Sequence, residues 1–275
     1  MIQGLNNTLE EWDPILTRGL SERFKLILFD PPGSGRSELS DREPSIRLFA
    51  DQTSRLMDIL EISEAHVLGF SMGGCIAQEL AINYPEKVQK VIICSSNCGG
   101  SKYVPSALQM EMMQAFMGNR GNLTKEDMVR NCLKICFSEE FTKMTQEFLR
   151  NRGNLTQEDM VRSNLKPAFT EEFVKNNPER FEGYIQRKLL VPTAEKGAIG
   201  QRKAVANFST FERLHMIKAP TLILQGKKDA FLPPENGAIL AKAIPKATLV
   251  YLENSAHYLA EEIEKVLETV MNFLD

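Results

Sequence analysis

His66-Val67-Leu68-Gly69-Phe70-Ser71-Met72-Gly73-Gly74 is the stretch whose reading decides the fold. Its first half is a short apolar strand. Its second half is G-x-S-x-G, leading into a helix over about Cys75 to Asn83. A serine between a strand and a helix sits on a sharp, strained turn that presents its hydroxyl above the end of the sheet. Gly69 and Gly73 flank it, where the lack of a Cβ lets neighbouring backbone pass closely. The N–H groups after the serine point into the same space. A free serine hydroxyl is a weak nucleophile, so the motif demands a base and a group to orient that base. The same five residues in an ordinary loop would need neither.

Working outward, Phe24–Phe29 reads as a strand before the turn-rich loop Asp30-Pro31-Pro32-Gly33-Ser34-Gly35-Arg36-Ser37. No P-loop lysine or helix start follows those glycines, so the loop is structural rather than a phosphate cradle. Ile46 to Leu60 carries a helical apolar stripe, and Val88–Cys94 is a further strand. Strands alternating with helices imply a parallel sheet covered on both faces. After the helical region described next, Ala219–Gly226, with its start punctuated by Pro220, and Ala247–Leu252 read as strands, each followed by a helix. The fold class is therefore α/β, a mostly parallel sheet with a helical insertion. Such sheets bind ligands at the carboxyl ends of their strands, where Ser71 lies.

Between residues 99 and 207 the alternation stops and the chain reads as helices. The expected organisation is a core of residues 1–98 and 208–275 with a helical cap of residues 99–207. The cap contains an internal duplication, 119–143 and 151–175, identical at 18 of 25 aligned positions. In the second copy Thr156 is placed to cap a helix with Asp159 returning the bond, and Pro167 should end that helix. Phe116, Phe137 and Phe141 could line an apolar substrate pocket under the cap, or form the cap's own core.

Only three histidines are available as the base. His66 lies at the far end of the strand that carries Ser71, and His215 precedes a strand on the opposite rim. His257, in the loop after the last strand, is on the rim of Ser71 and is the candidate base. Asp229, after the strand ending at Gly226, is the acid placed to orient it. Glu235 is a weaker rival because it opens a helix, where an acid has its own reason to be.

Ser71, Asp229 and His257 fall in the chain order serine–acid–histidine, which resembles the α/β-hydrolase fold superfamily. Within it the chain is similar to the cap-bearing serine esterase, enol-lactonase and haloperoxidase-like branch. The loop after Phe29, the elbow and the Asp229 and His257 segments all match. The resemblance implies a serine hydrolase acting through an acyl-enzyme on an ester, lactone or related acyl bond, with no cofactor and no metal. It also implies an oxyanion hole from the backbone N–H groups of Leu5 and Met72. Gln3-Gly4 stands where the family usually has His-Gly, a change that a backbone donor tolerates. Two strands and most of a third precede that point in the family. Here Met1-Ile2 stands in their place, so N-terminal strands are expected to be missing from the sheet.

A net charge of −3 gives no electrostatic case for nucleic acid or an anionic membrane. No stretch has the length of a membrane span. Five cysteines without a framework spacing favour a reducing, cytoplasmic setting. The partner expected is a small-molecule acyl substrate. The rival readings are a non-catalytic small-ligand-binding protein, or an inactive truncated form, on the same scaffold.

Overall fold

The computed structural model describes residues 1–117 and 156–275. Four strands, β1 (Ala65–Phe70), β2 (Val88–Cys94), β3 (Thr221–Gly226) and β4 (Ala247–Leu252), form a parallel sheet in that order. Parallel neighbours need crossovers, and helices provide them. Helix α1 (Pro14–Ser21) precedes α2 (Ile46–Ile59), while α3 (Met72–Asn83) joins β1 to β2.

Side-chain alternation along the strands sorts the core into two layers. Val67, Val91, Ile93 and Ile223 pack with α2 and α3 on one face. Leu68, Phe70, Ile92, Cys94, Leu222 and Leu224 pack with Leu16 and Leu20 of α1 on the other. The C-terminal helix (Ile263–Leu274) completes that second layer through Val266 and Val270.

One expected strand does not form. Phe24–Phe29 makes no ladder, and Phe29 alone pairs, through an isolated parallel bridge to Ile2. Ile2 also bridges Gly69 of β1, so it lies between the two segments. A ladder needs a partner along its length, and Met1-Ile2 supplies one paired residue. Beyond it lies a largely apolar cavity of about 410 Å3, walled by residues that include Leu26, Ile27, His66 and Leu68. The Met1 amino group donates to Ile27 O at 2.8 Å, and burial lowers its pKa to about 5.

Between β2 and β3 the described chain is helical: α4 (Ala107–Met117), α5 (Gln157–Leu165), α6 (Glu171–Asn176), α7 (Pro178–Leu190) and α8 (Glu195–Ala206). Its entry and exit are stitched by a bridge between Gly99 and Ser209 and by Thr210 N donating to Cys98 O at 2.9 Å. Thr156 and Asp159 form the reciprocal cap of α5, which ends at Leu165, two residues before Pro167. Phe169, Phe173, Phe181 and Tyr184 form a small core of their own there. The first copy of the duplication lies outside the described residues, as do Phe137, Phe141 and the side chain of Phe116. Helix α9 (Glu235–Ala243) then joins β3 to β4.

Candidate active site

Ser71 sits at the junction of β1 and α3 with φ 53° and ψ −116°, a conformation that costs a non-glycine residue about 1–3 kcal/mol. The surroundings hold it there. Ser71 N donates to Cys94 O at 2.9 Å, and Ser96 Oγ donates to Ser71 O at 2.8 Å. The motif glycines are required by contact. A Cβ on Gly69 would lie 2.2 Å from Gly73 O, and one on Gly73 would lie 2.0 Å from Ile2 O.

His257 follows β4 in the loop closed by Ser255 N donating to Leu252 O at 3.4 Å. Its Nε2 is 3.2 Å from Ser71 Oγ, and its Nδ1 is 2.7 Å from Asp229 Oδ2. The ring is wedged between Phe70 and Phe231, with centroid separations of 5.0 and 5.5 Å. Ser95 Oγ donates to His257 O at 2.8 Å and fixes the backbone beneath the ring. The Asp229 side chain is fully buried. A buried carboxylate is stable when its lone pairs are used. Oδ1 accepts from Phe231 N and Leu232 N, each at 2.9 Å, and Oδ2 also accepts from Gln225 Nε2 at 3.3 Å.

Ser71, Met72, His257, Gly4 and Leu5 line one cavity of about 500 Å3. Met72 N–H is the first of α3 and has no intrahelical acceptor. Leu5 N–H has no hydrogen-bond partner among the described residues. The next residue is anchored, since Asn6 N donates to Gln201 Oε1 at 2.7 Å. Gln201, on α8, is fully buried and donates through Nε2 to Pro32 O at 2.9 Å and Ser34 Oγ at 2.7 Å. The Asp30 loop braces the same segment, with Leu9 N donating to Asp30 Oδ1 at 2.7 Å.

The other histidines are elsewhere. His66 lines the cavity below Ile2 and meets the Phe24 ring edge-on at 6.0 Å. His215 is exposed in a 3-10 turn over Phe211–Met216. Glu235 opens α9, as its helix-capping reading requires. Met113 of α4 is buried in the main core. Three polar residues of the site carry no motif: Gln201, Arg202 and Lys188, the last two lining the cavity. Lys188 donates to Asn6 O, to Asn7 Oδ1 at 2.9 Å and to Glu11 Oε1 at 3.1 Å. Burial raises the Glu11 pKa despite that ammonium.

This arrangement can relay a proton from a hydroxyl to an imidazole backed by a carboxylate, beside two N–H groups that have no acceptor among the described residues. The chain belongs to the alpha/beta hydrolase fold family, whose model matches residues 1–262. It is 25% identical over 275 residues to a poly(3-hydroxyalkanoate) depolymerase of Ectopseudomonas oleovorans, covering 100% of this chain and 83% of that one. It is 28% identical to a pimeloyl-[acyl-carrier protein] methyl ester esterase of Hamiltonella defensa subsp. Acyrthosiphon pisum, covering 99% of this chain and 91% of that one. Among solved structures, the enol-lactonase from Burkholderia xenovorans LB400 superposes with a TM-score of 0.71 at 22% identity, covering 99% of this chain and 90% of that one.

Proposed function

We propose that this protein is a serine hydrolase that cleaves an ester, lactone or related acyl bond of a small substrate through an acyl-enzyme. The observation that carries this reading is the unbroken line Asp229–His257–Ser71, with contacts of 2.7 and 3.2 Å, opening into one cavity. His257 Nδ1–H donates to Asp229, which leaves Nε2 free to accept the Ser71 proton. Ser71 Oγ then attacks the carbonyl carbon. The Leu5 and Met72 N–H groups receive the developing oxyanion, and each such donor is typically worth about 3 kcal/mol in the transition state. The imidazolium returns its proton to the leaving oxygen. Water, deprotonated by His257, attacks the acyl-enzyme and releases the acid. An esterase-type substrate accords with the names of the esterase and depolymerase relatives. The buried, unpaired thiols of Cys75, Cys94 and Cys98 accord with a reducing, cytoplasmic setting.

A fluorophosphonate probe with peptide mapping tests the nucleophile. The adduct is expected on Ser71 and absent from Ser71→Ala; equal labelling of the two proteins would sink the assignment. Turnover of short p-nitrophenyl esters separates an enzyme from a binding protein on the same scaffold.

A further inference from the structure

Arg202 lines the same cavity as Ser71 and His257, yet its side chain makes no hydrogen bond or ion pair with any described residue. It is half-buried. A guanidinium withdrawn from water without a partner loses solvation that nothing returns. That loss lowers its pKa, and the one opposing influence is Glu195, an exposed acid at the start of the same helix.

The neighbouring charges sharpen the point. Lys188, the other cation on the wall, spends its three donors on three acceptors: Asn6 O, Asn7 Oδ1 and Glu11 Oε1. Among the described residues no aspartate or glutamate lines the cavity. Asp229 lies behind the His257 ring with its side chain fully enclosed. Among the described residues the cavity thus carries one cation whose donors are unclaimed and no anion to claim them. Arg202 is also well placed to be held still. The preceding residue, Gln201, ties α8 to Asn6, Pro32 and Ser34 through bonds of 2.7, 2.9 and 2.7 Å.

We propose that Arg202 determines substrate specificity by holding a carboxylate carried by the substrate itself. The preferred substrates are then acyl compounds with a second, anionic end, such as half-esters of dicarboxylic acids or lactones bearing a free carboxylate. A planar guanidinium engages a carboxylate through two parallel N–H donors, which fixes orientation as well as charge. Bound this way, the anion completes Arg202 while the ester carbonyl at the other end meets Ser71. This inference rests on the acyl-hydrolase reading above for the reaction, and on Arg202 alone for the anion.

The test compares p-nitrophenyl half-esters of succinate, glutarate and adipate with p-nitrophenyl esters of neutral acids of the same chain length. The wild-type ratio of kcat/KM, charged over neutral, should exceed ten for at least one length. That ratio should fall about 30-fold in Arg202→Met, mainly through KM, and recover in part in Arg202→Lys. A structural role for Arg202 would lower both esters together and leave the ratio intact. A ratio near one in the wild type, or one unmoved within twofold by Arg202→Met, overturns the proposal. If no ester is turned over, the acyl-hydrolase reading fails separately. Calorimetric titration of Ser71→Ala with glutarate, alone and combined with Arg202→Met, still decides the anion site. Binding weakened about tenfold or more by Arg202→Met supports it, and no binding or equal binding overturns it.

Discussion

Asp229 Oδ2 lies 2.7 Å from His257 Nδ1, while Oδ1 of the same carboxylate accepts from the backbone of Phe231 and Leu232. One carboxyl group thus orients the imidazole and closes its own loop. Asp229→Asn keeps the shape but can turn an N–H toward the ring, forcing the wrong tautomer. The expected loss in kcat is about 10^4-fold, as for the same change in other serine–histidine–aspartate enzymes. Stopped-flow or steady-state ester hydrolysis reads it, and circular dichroism should show an unchanged fold. A loss under tenfold would remove Asp229 from the relay.

Gln201 acts at a distance through Asn6. Its Oε1 holds the Asn6 N–H at 2.7 Å and thereby sets the peptide next to Leu5. Gln201→Leu removes that anchor and leaves Pro32 O and Ser34 Oγ without its amide. Hydrolysis should slow about 10–100-fold in kcat with a small change in KM, the pattern of a lost transition-state donor. Fluorophosphonate labelling of Ser71 should slow in step. An equal rise in KM with kcat intact would make Gln201 a binding residue instead.

The buried thiols give a readout of the core. Burial pushes Cys75 and Cys94 up to about 12 and Cys98 to about 11. Thiolate is the reactive form, so native protein at pH 8 should alkylate these sites very slowly. Peptide-resolved mass spectrometry after iodoacetamide treatment should show them modified only where urea has unfolded the sheet. Rapid native labelling of Cys94 would contradict its place between Phe70 and Leu224.

Much of the site was legible because its chemistry is local in sequence. Ser71 has a motif, His257 follows by elimination among three histidines, and Asp229 follows from the rim of the sheet. The helical insertion was legible from the loss of strand–helix alternation, and Thr156 with Asp159 from their capping spacing. Phe24–Phe29 misled because its composition favours a strand while a ladder depends on the neighbour, here one residue of Ile2. Gln201, Arg202 and Lys188 left no trace because a polar residue on a helix reads as a solvated face. Only the tertiary structure turns that face toward the cavity.

The Met1 amino group links pH to stability in the 275-residue chain. Its pKa is about 5 when folded against 8.0 when free, so the unfolded chain binds the extra proton between those values. Its contribution is complete above about pH 8, is lost as pH falls from 8 to 5, and is constant below. The full span is on the order of 4 kcal/mol. Urea midpoints should therefore drop on going from pH 8.5 to 5.5. An N-acetylated chain, which keeps an N–H for Ile27 O, should lack that component of the drop. Identical slopes for the two chains would refute it.

Strand alternation makes a finer prediction at β1. Phe70 N donates to Ile2 O at 3.0 Å and Leu68 O accepts from Ile2 N at 2.8 Å. The N–H groups of His66 and Leu68 therefore point to that same side, over the cavity, while Val67 and Gly69 face β2. Native hydrogen exchange should be fast at His66 and Leu68 and slow at Val67 and Gly69. Uniform protection along β1 would show that the cavity side is covered.

The single-residue bridge at Ile2 also bears on how the molecule responds to warming. Residues 1–5 are joined to β1 by two backbone bonds, and the same short segment carries Leu5 into the cavity. Detaching it would leave Ser71, His257 and Asp229 in register while withdrawing Leu5, one of the two proposed oxyanion donors. The native state would then divide into a fast form and a slow form, exchanging without loss of the sheet, and heating would fill the slow form first. Turnover should pass through a reversible optimum below the melting temperature, and the gap between the two measures how loosely that one residue is held.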